Sequence, residues 1–134
     1  MFSIESLLLT LMYFGVSIAI ILVGVFIFEL LTTKYKDWDE ILKGNNAVAL
    51  SIAGKITGIS IILGFSIYHS VQLLDTVIWG AIGVVLQMVG YLLFELFTRR
   101  FSVEDQLHKG NISVGIISFA VSVGIALVVG ASIT

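Results

Sequence analysis

The sequence predicts an all-α integral membrane protein, with four transmembrane helices arranged as two parallel two-helix repeats and short interfacial helices in the cytoplasmic loops. Three observations lead there. Of the 134 residues, 58% are hydrophobic and only 12% charged, against about 45–50% and about 25% in soluble domains. The apolar residues gather in four long blocks, and the chain matches itself at an offset of 66 residues. At a mean hydropathy of +1.11, one small core cannot hide these side chains from water, so the lipid bilayer must.

The blocks fall at 6–32, 46–67, 73–97 and 112–132, each near the ~20 residues that cross ~30 Å of hydrocarbon. The first opens with Glu5 rather than a basic region and lacks a small-residue cleavage exit, so it reads as a retained helix and not a signal peptide. No proline interrupts any block, and most of the 13 glycines lie inside them, where they let backbones approach. Six of the seven basic residues stand in two connections: Lys34, Lys36 and Lys43 in the first, Arg99, Arg100 and Lys109 in the third. Counting positive charge places both connections in the cytoplasm and both termini outside it. Each holds a short amphipathic stretch. In 37–43 and just before it, Tyr35, Trp38, Ile41 and Leu42 share a face. In the other, Phe101 and Leu107 are the apolar members and Ser102 stands as N-cap. Two interfacial turns anchored on the inner leaflet follow, with partner docking as the other use of those faces.

The offset of 66 lays Phe28-Glu29-Leu30-Leu31-Thr32 on Phe94-Glu95-Leu96-Phe97-Thr98, and Lys43-Gly44-Asn45 on Lys109-Gly110-Asn111. Between 28 and 45, eight of 18 aligned pairs are identical, where chance gives about one. Residues 1–66 and 67–134 are therefore read as two copies of one unit, together forming one membrane domain. An even number of spans per unit makes the copies parallel, related by an axis along the membrane normal. Gly54 and Gly58 on the second span, and Ser118, Ser122 and Ala126 on the fourth, form small-residue seams. These either pack the single chain or join copies into a homo-oligomer.

The doubled F-E-L-x-T and K-G-N pattern, spread over the whole chain, resembles the bacterial membrane proteins of domain of unknown function 350, the YjfL and YshE group. The resemblance implies a multi-pass protein of the bacterial plasma membrane built from two such repeats, and it transfers no catalytic residue. Ile112 stands where the first copy has Asn46, so the second copy lacks the doubled asparagine.

The polar residues inside the spans are the candidate site. Glu29 and Glu95 sit roughly 5–8 Å below the cytoplasmic boundary. Each either caps the free N–H groups of the following helix at Asn45-Asn46 or Asn111-Ile112, or forms part of a cation- or proton-binding pair. Gly44 with Asn45, and Gly110 with Asn111, read as helix starts, with a pore mouth as the alternative. Lys55 lies about 16 Å deep, counted from Gly44, where a lysine costs roughly 2.5–3.5 kcal/mol. It demands a carboxylate such as Glu29, a hydrated cavity, a bound anion or a neutral amine. Gln87, with Ser51, Thr57 and Ser60, lines the same hydrophilic seam or forms interhelical hydrogen bonds.

A net charge of −2 argues against nucleic acid as a partner. Zero cysteines remove thiol chemistry, and His69 and His108 stand alone in opposite connections with no metal-ligand spacing around them. No cofactor, metal site or catalytic group is expected, and so no enzyme. Two functions remain. One is a small oligomeric conduit for an ion or solute, with Lys55, Glu29 and Glu95 in its polar pathway. The other is a structural or adaptor protein of the envelope whose cytoplasmic faces at Trp38 and Phe101 recruit a peripheral protein. A continuous polar cavity reaching Lys55 favours the first, and a dry bundle with Lys55 paired favours the second.

Overall fold

The computed structural model describes residues 2–98 and 102–133. Among them are six helices and no strand: α1 (Ile4–Leu31), α2 (Asp37–Leu42), α3 (Asn46–His69), α4 (Leu73–Phe97), α5 (Val103–His108) and α6 (Ile112–Ser132). The four long ones match the four apolar blocks, and each is long and apolar enough to cross a membrane. The expected first span begins at 6 and the helix at Ile4, where Ser3 accepts a hydrogen bond from Ser6 and caps the free end. α3 runs on to His69, which therefore closes a helix rather than sitting in a connection. Arg99, Arg100 and Phe101, which figured in the charge count and the second amphipathic face, lie outside the described residues.

The short helices repeat one device. α2 and α5 begin at Asp37 and Val103, 66 positions apart, as do α3 and α6 at Asn46 and Ile112. Gly44 at φ +86° and Gly110 at φ +79° reverse the chain in the left-handed region. Asn45 and Asn111 then cap α3 and α6 by accepting from the backbone N–H groups of Val48 and Val114. A Cβ on Gly44 would meet nothing within 4 Å and one on Gly110 only Asn45 Oδ1 at 3.9 Å, so substitution there costs backbone strain alone. Gly44→Ala and Gly110→Ala should each lower stability by about 1 kcal/mol. Thermal unfolding of the double variant in detergent checks this, and an unchanged Tm would contradict it.

α3 and α6 form the centre. They run in the same direction, since Ala47 lies against Gly115, Gly54 against Phe119, Gly58 against Ser122, and Phe65 against Gly130. A Cβ on Gly54 would stand 2.7 Å from the Cα of Phe119, and one on Gly115 2.8 Å from the carbonyl of Ala47. With no water to expel between helices in lipid, such close backbone approach is what holds them together. Gly54, Gly58, Ser118, Ser122 and Ala126 are all buried here. The seams on which a homo-oligomer was argued are therefore used inside one chain. α4 packs on both central helices, and α1 touches α3 and α4.

α2 splits the expected amphipathic face, with Tyr35 and Ile41 packed against a small core. It buries Asp37 and Glu40, while Trp38 and Leu42 face out, 46% and 86% exposed. In α5 the buried pair is Val103 and Leu107, closing with Ala47 and Val48 into a small core at the start of α3. The two connections are bonded to each other. Glu104 accepts from the backbone N–H and hydroxyl of Thr33 at 3.0 and 3.2 Å, and Lys34 pairs with Asp105 at 2.8 Å. Asn45 donates to the carbonyls of Leu107 and His108 at the end of α5.

Candidate functional site

Lys55 projects from α3 into the bundle at the α2–α5 end, about 13 Å along its helix from Asn46, and is only 4% exposed. Among the described residues no ion pair reaches its ammonium. It lies instead over two aromatic faces, 5.1 Å from the ring centre of Phe28 on α1 and 4.6 Å from that of Tyr91 on α4. Those rings meet edge to face at 6.1 Å, so the ammonium sits against two negative π-faces in place of water. The Lys55–Glu29 pair weighed from the sequence does not form. Glu29 turns to the other side of α1, into a surface groove with Trp38 and Ile56. Glu95 shares the Lys55 recess, together with Phe28, Leu31, Thr32, Tyr91 and Leu92. That recess has about 10 Å³ of free space, room for at most about one water.

A hydroxyl chain continues from Tyr91. Its OH lies 2.6 Å from Ser118 Oγ and 3.4 Å from Ser51 Oγ, and Ser118 donates to Ser51 at 2.9 Å. One turn deeper, Gln87 is fully buried and donates to the carbonyl of Ser122 at 3.3 Å, its amide filling the notch that Gly58 leaves. The carbonyl of Gln87 and the hydroxyl of Ser122 are buried without a partner among the described residues. Thr57 and Ser60, expected in this seam, point outward, and Ser60 returns its hydrogen bond to the Ile56 carbonyl. Nor do Glu29 and Glu95 cap the following helices, since Asn45 and Asn111 take that role themselves.

Above this tier the bundle is dry. Ile59, Ile62, Leu63 and Val84 fill it, with Gly80 and Gly83 giving way to Leu63 and Ile62. One turn beyond Gly80's contacts with Leu63 and Ile20, helical register brings Ser17, Ser66 and Thr76 to one level. All three hydroxyls are buried without a partner among the described residues. Two polar tiers, about 16 Å apart along α4 between Gln87 and Thr76, are thus separated by an apolar layer.

Several contributors escaped sequence reasoning: Tyr91, Phe28, Asp37 and the pair Glu40 and Gln106. Phe28 stands beside Glu29 inside the doubled F-E-L-x-T motif. Tyr91 is a hydroxyl in mid-block with no counterpart at Val25, which was a usable signal. Glu40 and Gln106 occupy equivalent positions and accept from Asn45 and Asn111 at 3.2 and 2.9 Å. The bond from Asn45, then Lys43 and His108, holds the Glu40 carboxyl below the usual range against its burial. His108 lies 3.6 Å from Glu40 and so joins the two connections.

Asp37 is 2% exposed, with one carboxylate oxygen unpartnered. Burial pushes its carboxyl up to about 6, Lys55 pulls it down, and Glu29 and Glu104 add repulsion. A carboxyl raised on folding contributes stability that is complete below the unfolded value, near 3.8, and is lost as pH rises through about 6. Asp37→Asn should therefore stabilise the protein at pH ~8 by about 1–2 kcal/mol after solvent screening, and hardly at pH ~4. Equal effects at both pH values in thermal unfolding would contradict this.

The family described as Domain of Unknown Function (DUF350) matches residues 1–133. The chain is 40% identical over 121 residues to the UPF0719 transmembrane protein YshE of Bacillus subtilis (strain 168), covering 90% of each chain. It is 26% identical over 112 residues to the UPF0719 inner membrane protein YjfL of Escherichia coli (strain K12), covering 84% of this chain and 83% of that one. No solved structure matches.

Proposed function

The chain belongs to the DUF350 family, and from that premise we propose that it is a non-enzymatic membrane conduit for an ion or small solute, handled at Lys55. The observation that carries this is the buried Lys55 side chain, held without an ion pair among the described residues over the ring of Tyr91, whose hydroxyl begins a hydrogen-bonded chain through Ser118 and Ser51. A buried intramembrane charge is costly, and packing gives no reason for it here. The apolar layer between the two polar tiers supports carriage by rearrangement rather than a standing pore. The α2–α5 end faces the cytoplasm, because the basic residues gather in its connections, and both termini lie outside. The doubled turn at Gly44 and Gly110, with its Asn–Glu40 and Asn–Gln106 bonds, supports a parallel repeat of two hairpins.

A structural or adaptor role is the second reading. It is favoured by the dry layer and by Trp38 and Leu42, exposed on α2 where they can lie in the interface or meet a peripheral protein. Purified protein in liposomes, assayed for K⁺, Na⁺, H⁺ and Cl⁻ movement, separates the two. Flux above that of empty vesicles is expected. Vesicles as tight as empty ones under every imposed gradient leave the adaptor.

A further inference from the structure

The surroundings of Lys55 have the chemistry of a cation site, and that site is filled by the protein's own ammonium. We infer that a weakly hydrated monovalent cation, ammonium or potassium, occupies the Phe28–Tyr91–Glu95 recess when the lysine side chain withdraws. This deepens the conduit reading and rests on it for its transport meaning. Two π-faces lie against the ammonium, the Glu95 carboxylate lines the same recess, and Asp37 is buried with a free oxygen among the described residues. An anion drawn by Lys55 would meet the Glu95 carboxylate and the negative ring faces, so the site repels it. A divalent ion needs six or more oxygen ligands or must keep its water. The recess offers one carboxylate, one threonine hydroxyl and the two aromatic rings, which suit an ion of low charge density.

The recess offers a single carboxylate, Glu95, so a second cation beside the ammonium would meet like-charge repulsion at close range that the site does not balance. Occupation is therefore mutually exclusive, and Lys55 acts as a tethered competitor on a flexible four-carbon stem. In an exchange cycle the tethered charge would hold the site whenever the free ion has left it. A neutral bundle would then never present bare carboxylates to lipid. The sequence alone could not show this, because Phe28, Tyr91 and Lys55 come from three different helices.

Thermal unfolding of purified protein in KCl, NH₄Cl, MgCl₂ and choline chloride at matched ionic strength tests it. Lys55→Ala empties the recess and should gain a saturable rise in Tm of at least about 5 °C in potassium or ammonium over choline. Wild type, already occupied, should show none, and Lys55→Ala with Glu95→Gln should lose the rise. Recovery of folded Lys55→Ala only when potassium or ammonium is present supports the site equally. Stabilisation by magnesium alone, or none in any salt, overturns it. Failure of Lys55→Ala to fold in every salt while Lys55→Met folds also overturns it, because free ions would then not replace the lysine. The conduit reading is judged separately by flux through wild-type vesicles. Cation-stabilised Lys55→Ala beside tight vesicles upholds the site without the conduit, and flux without stabilisation does the reverse.

Discussion

Gly54→Leu is expected to leave little folded protein, with a loss of at least about 3 kcal/mol. The first added carbon would stand 2.7 Å from the Cα and 3.0 Å from the carbonyl oxygen of Phe119. Both are backbone atoms, so no rotamer change makes room, and three further carbons would follow. The change forces α3 away from α6 along the whole seam and opens the contacts of Ser51 with Ser118 and of Gln87 with Ser122. Gly124→Leu is the control. It stands 66 positions after Gly58, yet a Cβ there meets nothing within 4 Å, so a larger apolar side chain has room on that face. Tm in detergent should fall steeply for the first variant and stay near wild type for the second. Equal stability of the two would refute the close packing of α3 on α6.

Lys55→Met is expected to separate stability from transport. The methionine keeps the volume in the recess and removes a buried charge costing roughly 2.5–3.5 kcal/mol. What it loses is the attraction of two rings, each about 0.5–2 kcal/mol. The variant should therefore unfold within about 2 kcal/mol of wild type, or later. Flux through reconstituted vesicles should fall at least about tenfold, the loss that ~1.4 kcal/mol of site binding represents. A purely structural lysine gives the opposite pattern, with stability reduced and flux untouched, and that outcome would end the assignment of Lys55 to a pathway.

How far the sequence reaches can be judged at particular residues. The four helices were readable because spans of lipid thickness need about 20 apolar residues, a local property of each block. The caps at Asn45 and Asn111 and the turns at Gly44 and Gly110 were readable because capping is decided within a few residues. Lys55 was identifiable as exceptional because a charge in an apolar run is costly whatever surrounds it. The partner of Lys55 was not identifiable. Counting along helices gave depth and brought Glu29 forward, while rotation about each helix axis decided that Phe28 faces the lysine and Glu29 does not.

The same rotation sorted residues that look alike in the sequence. Gly58 is pressed against Gln87 and Ser122 while Gly124 looks onto open space, and Ser51 joins the hydroxyl chain while Thr57 and Ser60 point outward. The amphipathic face of α2 divides for a related reason: Trp38 and Leu42 face outward while Tyr35 and Ile41 pack against the small core. Its acidic face is drawn inward, where Asn45, Lys43 and His108 receive Glu40, and interactions of that kind outweigh a hydrophobic stripe in so short a helix. By itself the sequence determined the four long helices, the caps at Asn45 and Asn111 and the place of each charge along its helix, because hydrophobic length and capping act on neighbours along the chain. The tertiary structure alone decided which side chains meet, because an ammonium over two rings and a glycine beneath a facing backbone depend on helices distant in sequence and on their rotation to within a fraction of a turn.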